Sequence, residues 1–205
     1  MGDNLDDAED VFTYEPMVKK QYAPVFAAPL FPRSAPDVPD SFYSAAEILV
    51  KGVVAGKLSE DIEGITGLFL FRHYLELALK RIVVSGRWLE TPTKNAEEIE
   101  KVKCIHSLQD LWTLVESDAK PKIAAADWKA FDTDFVRRCL LEFHQVDPKG
   151  VSFRYRNSKL AELQTNFSNL LADMRHCREV LEGIDTYLVE THGQNEEWEE
   201  ILNSL

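Results

Sequence analysis

Cysteine is scarce, phosphate-cradling glycine loops are missing, and no apolar run is long enough to cross a bilayer. The three cysteines among 205 residues, Cys104, Cys139 and Cys177, are odd in number and widely spaced. That excludes a self-contained disulfide framework and fits reduced thiols in a core. Neither a P-loop nor a GxGxxG motif occurs, so nucleotide hydrolysis by the usual routes has no support and no cofactor is called for. The longest apolar run, residues 65–84, is interrupted by Arg72 and His73 and falls short of the roughly 18 uninterrupted residues of a membrane span. The opening MGDNLDDAEDVF has no basic stretch ahead of an apolar one, and no Ser or Thr at position six. It therefore reads neither as a secretory signal nor as a myristoylation signal. A cytoplasmic protein without a membrane partner is the expectation.

What is present is acidic. Asp and Glu number 35 against 23 Lys and Arg, a formal net charge of −12, which argues against broad, non-specific binding to nucleic acid because counterion release needs a basic face. The charge is segregated, however. Basic residues gather at 72, 80, 81 and 87 and again at 137, 138, 154 and 156, while both termini are acidic. Such a distribution suits a basic cleft in an acidic body.

Residues 1–40 hold Pro16, Pro24, Pro29, Pro32, Pro36 and Pro39, and helical or strand periodicity does not survive that spacing. This segment reads as an extended arm, with Tyr22, Val25, Phe26, Leu30 and Phe31 available to lie on a surface of the same or a neighbouring subunit. Residues 41–190 read as a helical bundle and 191–205 as an acidic tail. Within the bundle a first helix runs from about Ser41 to Gly56, with Phe42, Ala45, Ile48, Leu49 and Val53 on its apolar face. Ser59 looks like an N-cap followed by acids in the first turn. The central segment 65–84 is apolar on nearly every side, as a helix surrounded by others is. Ser107 and Asp110 form a capping box for a helix opening at His106. Asp127 caps a further helix carrying Trp128, Phe131, Phe135, Cys139 and Phe143, which ends in the turn Asp147-Pro148-Lys149-Gly150. The alternating VSFRYR (151–156) reads as a short extended piece. A regular 3, 4 spacing from Leu160 to Leu188 marks the longest helix, whose end can reach a dimer contact. The fold class is all-α, an up-and-down helical bundle with an extended Pro-rich N-terminal arm.

Two polar sets interrupt this pattern. Arg72, His73, Glu76 and Lys80 fall on one face of the central helix. They form either a self-satisfied ion-pair ladder around Glu76, or a groove in which Arg72 and Lys80 hold an anionic substrate and His73 titrates near neutrality. His144, Asp147, Arg154, Tyr155 and Arg156 gather where a helix ends. They either clamp a phosphate and stack on a base, or anchor the loop and cap helix ends. A zinc site from Cys104, His106, Cys139, His144, His176 and Cys177 has suitable atoms but no paired spacing, so no metal is expected. Cys104 and His106 as a nucleophile pair stand at a helix start, where they do not face each other.

The pieces LFLFRHYLELALKRI, HSLQDLW and FHQVDPKGVSFRYR, in that order, resemble a group of bacterial all-helical proteins related to the HEPN superfamily, over about residues 60 to 160. The resemblance implies a compact bundle, commonly a homodimer. It also implies one of two functions: a metal-independent ribonuclease of toxin–antitoxin, phage-defence or RNA-processing systems, or an inactive binding module. The superfamily hallmark, an Arg followed after four to six residues by a His, is matched by Arg138 and His144 with five between. Cys139 stands where a polar residue usually follows the Arg. If RNA is cleaved, a 2′-hydroxyl attacks the adjacent phosphate, with histidine as general acid or base and arginines stabilising the added charge. The expected catalytic residues are then Arg72, His73, His144 and Arg154. Glu76, Lys80, His106, Arg138, Asp147, Tyr155 and Arg156 would bind the RNA or nucleotide. The other expectation is a catalytically silent module that engages a partner protein encoded in the same operon, or a nucleotide.

Overall fold

The computed structural model describes residues 38–88, 96–155 and 164–192. The expected arm and the acidic tail fall almost entirely outside the described residues, although the last helix runs two residues into the tail, to His192. Among them the structure is an all-α helical bundle without strands, in the order α1 Val38–Val54, α2 Ile65–Trp88, α3 Ala96–Lys103, α4 Leu108–Leu114, α5 Ala125–Ala130, α6 Thr133–Val146, α7 Ser152–Tyr155 and α8 Phe167–His192. One turn of π-helix, Glu60–Gly64, leads into α2, and another, Val115–Ala119, prolongs α4.

Helix α2 is the hub. It packs against α1, α3, α4, α7 and α8, and Phe71, Tyr74, Leu75, Leu79, Ile82, Val83 and Val84 are buried around its circumference, as a segment apolar on nearly every side requires. Its C-terminal end comes very close to the π turn after α4. A Cβ at Gly86 would stand 2.7 Å from the Ala119 Cα and the Asp118 carbonyl oxygen, so only glycine lets the two backbones meet. Beside this contact Arg87 pairs with Asp118. On α8, Phe167, Met174, Cys177, Leu181, Ile184 and Leu188 are buried; with Leu170, which is half-buried, they make up the expected seam from Phe167 onward. Leu160 and Leu163 lie outside the described residues.

Several elements differ from expectation. Helix α1 starts at Val38, with Pro39 in its first turn, where a missing N–H costs nothing. It buries Tyr43, Ala46, Val50 and Val53, while Ile48 is 67% exposed. Its apolar residues spread over more than one stripe, so the pattern did not pick out the buried one. Ser59 precedes the π turn without a side-chain cap; its own N–H donates to Glu63 Oε2 at 2.9 Å. Helix α3 was not expected. The single helix expected after Asp127 is two, α5 and α6. Phe131 between them is extended, Asp132 caps α6 by accepting from the Phe135 N–H, and the Phe131 ring packs edge-on against Tyr187 beside Gly183. Finally, 152–155 is a turn of helix, not an extended piece, because Asp147 Oδ1 accepts from the N–H groups of Val151 and Ser152 at 2.8 and 2.9 Å and so caps it.

Candidate functional site: a buried charged clamp

Arg72, Glu76 and Lys80 are stacked by the i, i+4 geometry of α2 and are 2%, 3% and 5% exposed. Burying such groups costs several kcal/mol per ion unless each finds partners, and here each does. Arg72 Nη1 donates to Glu76 Oε2 at 3.0 Å, Nη2 to the His106 carbonyl at 2.7 Å and Nε to the Asp147 carbonyl at 3.3 Å. The Asp147 Oδ2 stands 3.2 Å from the same Nε, an ion-pair contact, not an aligned hydrogen bond. Lys80 Nζ donates to Glu76 Oε1 and to the Lys103 carbonyl, both at 2.8 Å, which places a cation on a carbonyl in the last turn of α3.

One member of the second polar set therefore meets the first. Asp147 belongs to the second set, yet it is fully buried against Arg72 of the first. The turn that carries it needs Gly150, whose φ is +73°. A Cβ there would lie 3.0 Å from Arg72 Nη1, so the glycine both permits the backbone and makes room for the guanidinium. The remaining member, His106, has its Nδ1 2.9 Å from Glu76 Oε1, with a side chain 56% exposed. It is the clamp's opening to solvent. Burial pulls the Glu76 carboxyl upward, but hydrogen bonds from Lys80, His106 and Arg72 and the Lys80 charge outweigh it and hold the group below the usual carboxylate range.

Other residues singled out in the sequence lie elsewhere. The His73 ring is half-buried, met edge-on by Phe42 with centroids 4.4 Å apart and stacked on Phe69. Arg138 is exposed, its guanidinium over the Phe135 ring, and His144 is half-buried with an Nδ1 that has no hydrogen-bond partner. Both sit on α6, six residues apart, which turns them about 120° from one another. Arg154 and Tyr155 lie in α7, but their side chains, like the whole of Arg156, fall outside the described residues. Phe153 is buried against Leu68 and beside Phe143, as the loop-anchor alternative has it. Among the described residues no three His, Cys, Asp or Glu side chains stand together as metal ligands.

The sequence reading missed Gly150, for which the Asp-Pro-Lys-Gly turn was the available signal, and the carbonyl oxygens of Lys103, His106 and Asp147, for which there was none. As chemistry the clamp offers two buried cations already neutralised by two carboxylates, and one exposed imidazole fixed by a buried one. Compared with known families, curated proteins and solved structures, the chain finds no match in any of the three.

Proposed function

We propose that the chain is a HEPN-like helical binding or regulatory module, catalytically silent, in which the charged stripe of α2 holds the bundle together. The observation that carries this reading is the commitment of Arg72: it is 2% exposed and each of its three guanidinium nitrogens donates to Glu76, His106 or Asp147. A phosphate bound there would displace these partners and leave Asp147 a buried charge met only by backbone N–H donors, while Glu76 kept Lys80 and His106. Lys80 is committed in the same way. The acidic surface favours a protein partner over a polyanion. Ile48, Val54, Leu58 and Ile62 are large exposed apolar side chains within one short stretch, beside the exposed Glu60. Such a stretch suits a partner segment that is apolar and flanked by basic residues.

A second reading, metal-independent RNA cleavage, is favoured by one observation. The His106 ring is oriented by a buried carboxylate and open to solvent, the arrangement that prepares an imidazole for general acid–base work. The deciding experiment incubates purified protein with cellular RNA in the presence of chelator, beside His106→Ala and Arg72→Ala, and records the melting temperature of each. The module reading expects no cleavage, and a large stability loss in Arg72→Ala. Cleavage that disappears in a still-folded His106→Ala would replace it with the nuclease reading.

A further inference from the structure

A second polar site lies on the other side of α2. A cavity of about 320 Å³ is bounded by the first turn of α1 (Pro39, Asp40), by Tyr74, Ala78 and Arg81 of α2, and by Arg178, Leu181, Glu182 and Asp185 of α8. Tyr74 is 1% exposed, and its hydroxyl, which is buried, has no hydrogen-bond partner. Buried hydroxyls are nearly always bonded, and leaving one unpaired costs about 1–3 kcal/mol. Burial raises this phenol well above its usual range, and the charges it feels most are Glu182, Arg178 and Asp40. Those three residues line the cavity, as Tyr74 itself does.

Among the described residues that line the cavity, the charges do not balance. Arg178 contacts Asp40 at 3.1 Å and Glu182 at 2.5 Å, and Arg81 contacts Asp185 at 2.6 Å. Asp185, 6% exposed, also accepts from Ser85 Oγ at 3.0 Å. Three carboxylates thus face two guanidinium groups that are already paired. An anion would have to break these pairs and add to a negative surplus. A cation meets that surplus and leaves the pairs in place.

We propose that this cavity binds a small primary alkylamine, its ammonium donating to the Tyr74 hydroxyl oxygen and to the carboxylates of Glu182 and Asp185. An ammonium carries three donors and no acceptor, which matches in number the hydroxyl and the two carboxylates among the lining residues. The aliphatic body lies against Ala78, Leu181 and Pro39. The volume is at the low end of ligand pockets, so the class is a short mono- or diamine and not a nucleotide. Amine binding is independent of the α2 clamp on the other side of the helix, and its failure leaves the module reading untouched.

Calorimetric titration of the full chain with butane-1,4-diamine, beside butane-1,4-diol as a neutral compound of the same length, tests this at matched ionic strength. The expected result is saturable binding of the diamine at least tenfold tighter than of the diol. In Tyr74→Phe, which keeps the ring, the affinity should fall about tenfold, the loss of one hydrogen bond to a charged group. Glu182→Gln, on the exposed rim, should weaken binding without unfolding the protein. Equal binding of diol and diamine, no saturable heat at millimolar ligand, or wild-type affinity in a folded Tyr74→Phe would overturn the proposal and leave a cavity that holds only water.

Discussion

Replacing Arg72 by alanine puts the clamp to its most direct test. The substitution removes the cation that meets Glu76 Oε2 at 3.0 Å and Asp147 Oδ2 at 3.2 Å, and the donors to the carbonyls of His106 and Asp147. Glu76 keeps Lys80 and His106; Asp147 keeps only backbone N–H donors. Breaking a buried pair by removing one partner costs about 3–5 kcal/mol, because the remaining charge stays buried. For a domain of this size each kcal/mol corresponds to about 2–4 °C in Tm, so the melting temperature should fall by roughly 6–20 °C. Circular-dichroism melts and urea titration at pH 7 measure both quantities. Arg72→Lys should recover only part of the loss, since one ammonium cannot span a fork of three partners. In a cycle with Glu76→Gln, the double variant should be less destabilised than the sum of the singles, because both single changes lose the same Arg72–Glu76 pair. A loss below about 1 kcal/mol, the worth of an exposed pair, would refute the reasoning.

Glu76 is depressed in the folded state, so it contributes stability at pH values above its unfolded value of 4.5. That contribution is lost as the pH falls through the lower folded value. Wild type should therefore lose stability more steeply than Glu76→Gln as the pH falls from 4.5 toward the lower folded value; parallel acid titrations of Tm would sink the assignment. Gly150→Ala should cost about 1–3 kcal/mol for a positive-φ backbone and more for the Arg72 contact. Gly56→Ala, with φ +65° and open space around it, isolates the backbone part, so equal losses in urea titration would show that the contact does not matter. Replacing the clamp by apolar side chains of similar size, Arg72→Met, Glu76→Leu and Lys80→Met together with Asp147→Asn, should leave global stability within a few kcal/mol of wild type. The Val151 and Ser152 amides should then exchange faster; unchanged protection would mean that the clamp does not order the turn. If the bundle dimerises, sedimentation at micromolar concentration should show a species of twice 23.4 kDa, and a monomer alone would dismiss the homodimer.

Helix α2 was legible as the centre of the fold because its sequence is apolar where a surface helix would be polar, and the i, i+4 spacing put Arg72, Glu76 and Lys80 on one stripe. The spacing could not say where the stripe points. A ladder in water and a clamp in the core have the same pattern, and the difference lies in the carbonyls of Lys103, His106 and Asp147, which every sequence supplies. His73, three residues before Glu76, was grouped with it; one residue from Arg72 is a 100° step around the helix, enough to carry the ring to Phe42. The break between α5 and α6 hid because Trp128, Phe131 and Phe135 keep a helical step across it. Only the Asp132 cap, one residue after a phenylalanine that turns toward Tyr187 and Gly183, betrays it. The Arg81, Asp185 and Tyr74 grouping had no signal at all, since two of its members stand more than a hundred positions apart.

Apolar residues at 72, 76 and 80 would have given α2 a smooth surface along which α3, the 104–107 link and the 147–152 turn could settle in several registers. Charges that must be met cannot be shared among registers. Arg72 reaches the His106 and Asp147 carbonyls only when both segments are in place, and Lys80 reaches the Lys103 carbonyl only when α3 ends where it does. The cost of burying four charges is thus offset by partners available in one arrangement of the chain. This accounts for why His106, the single exposed member, is held at a fixed point between α3 and α4. Any partner or substrate that recognises this side meets an imidazole whose position is set from inside the core.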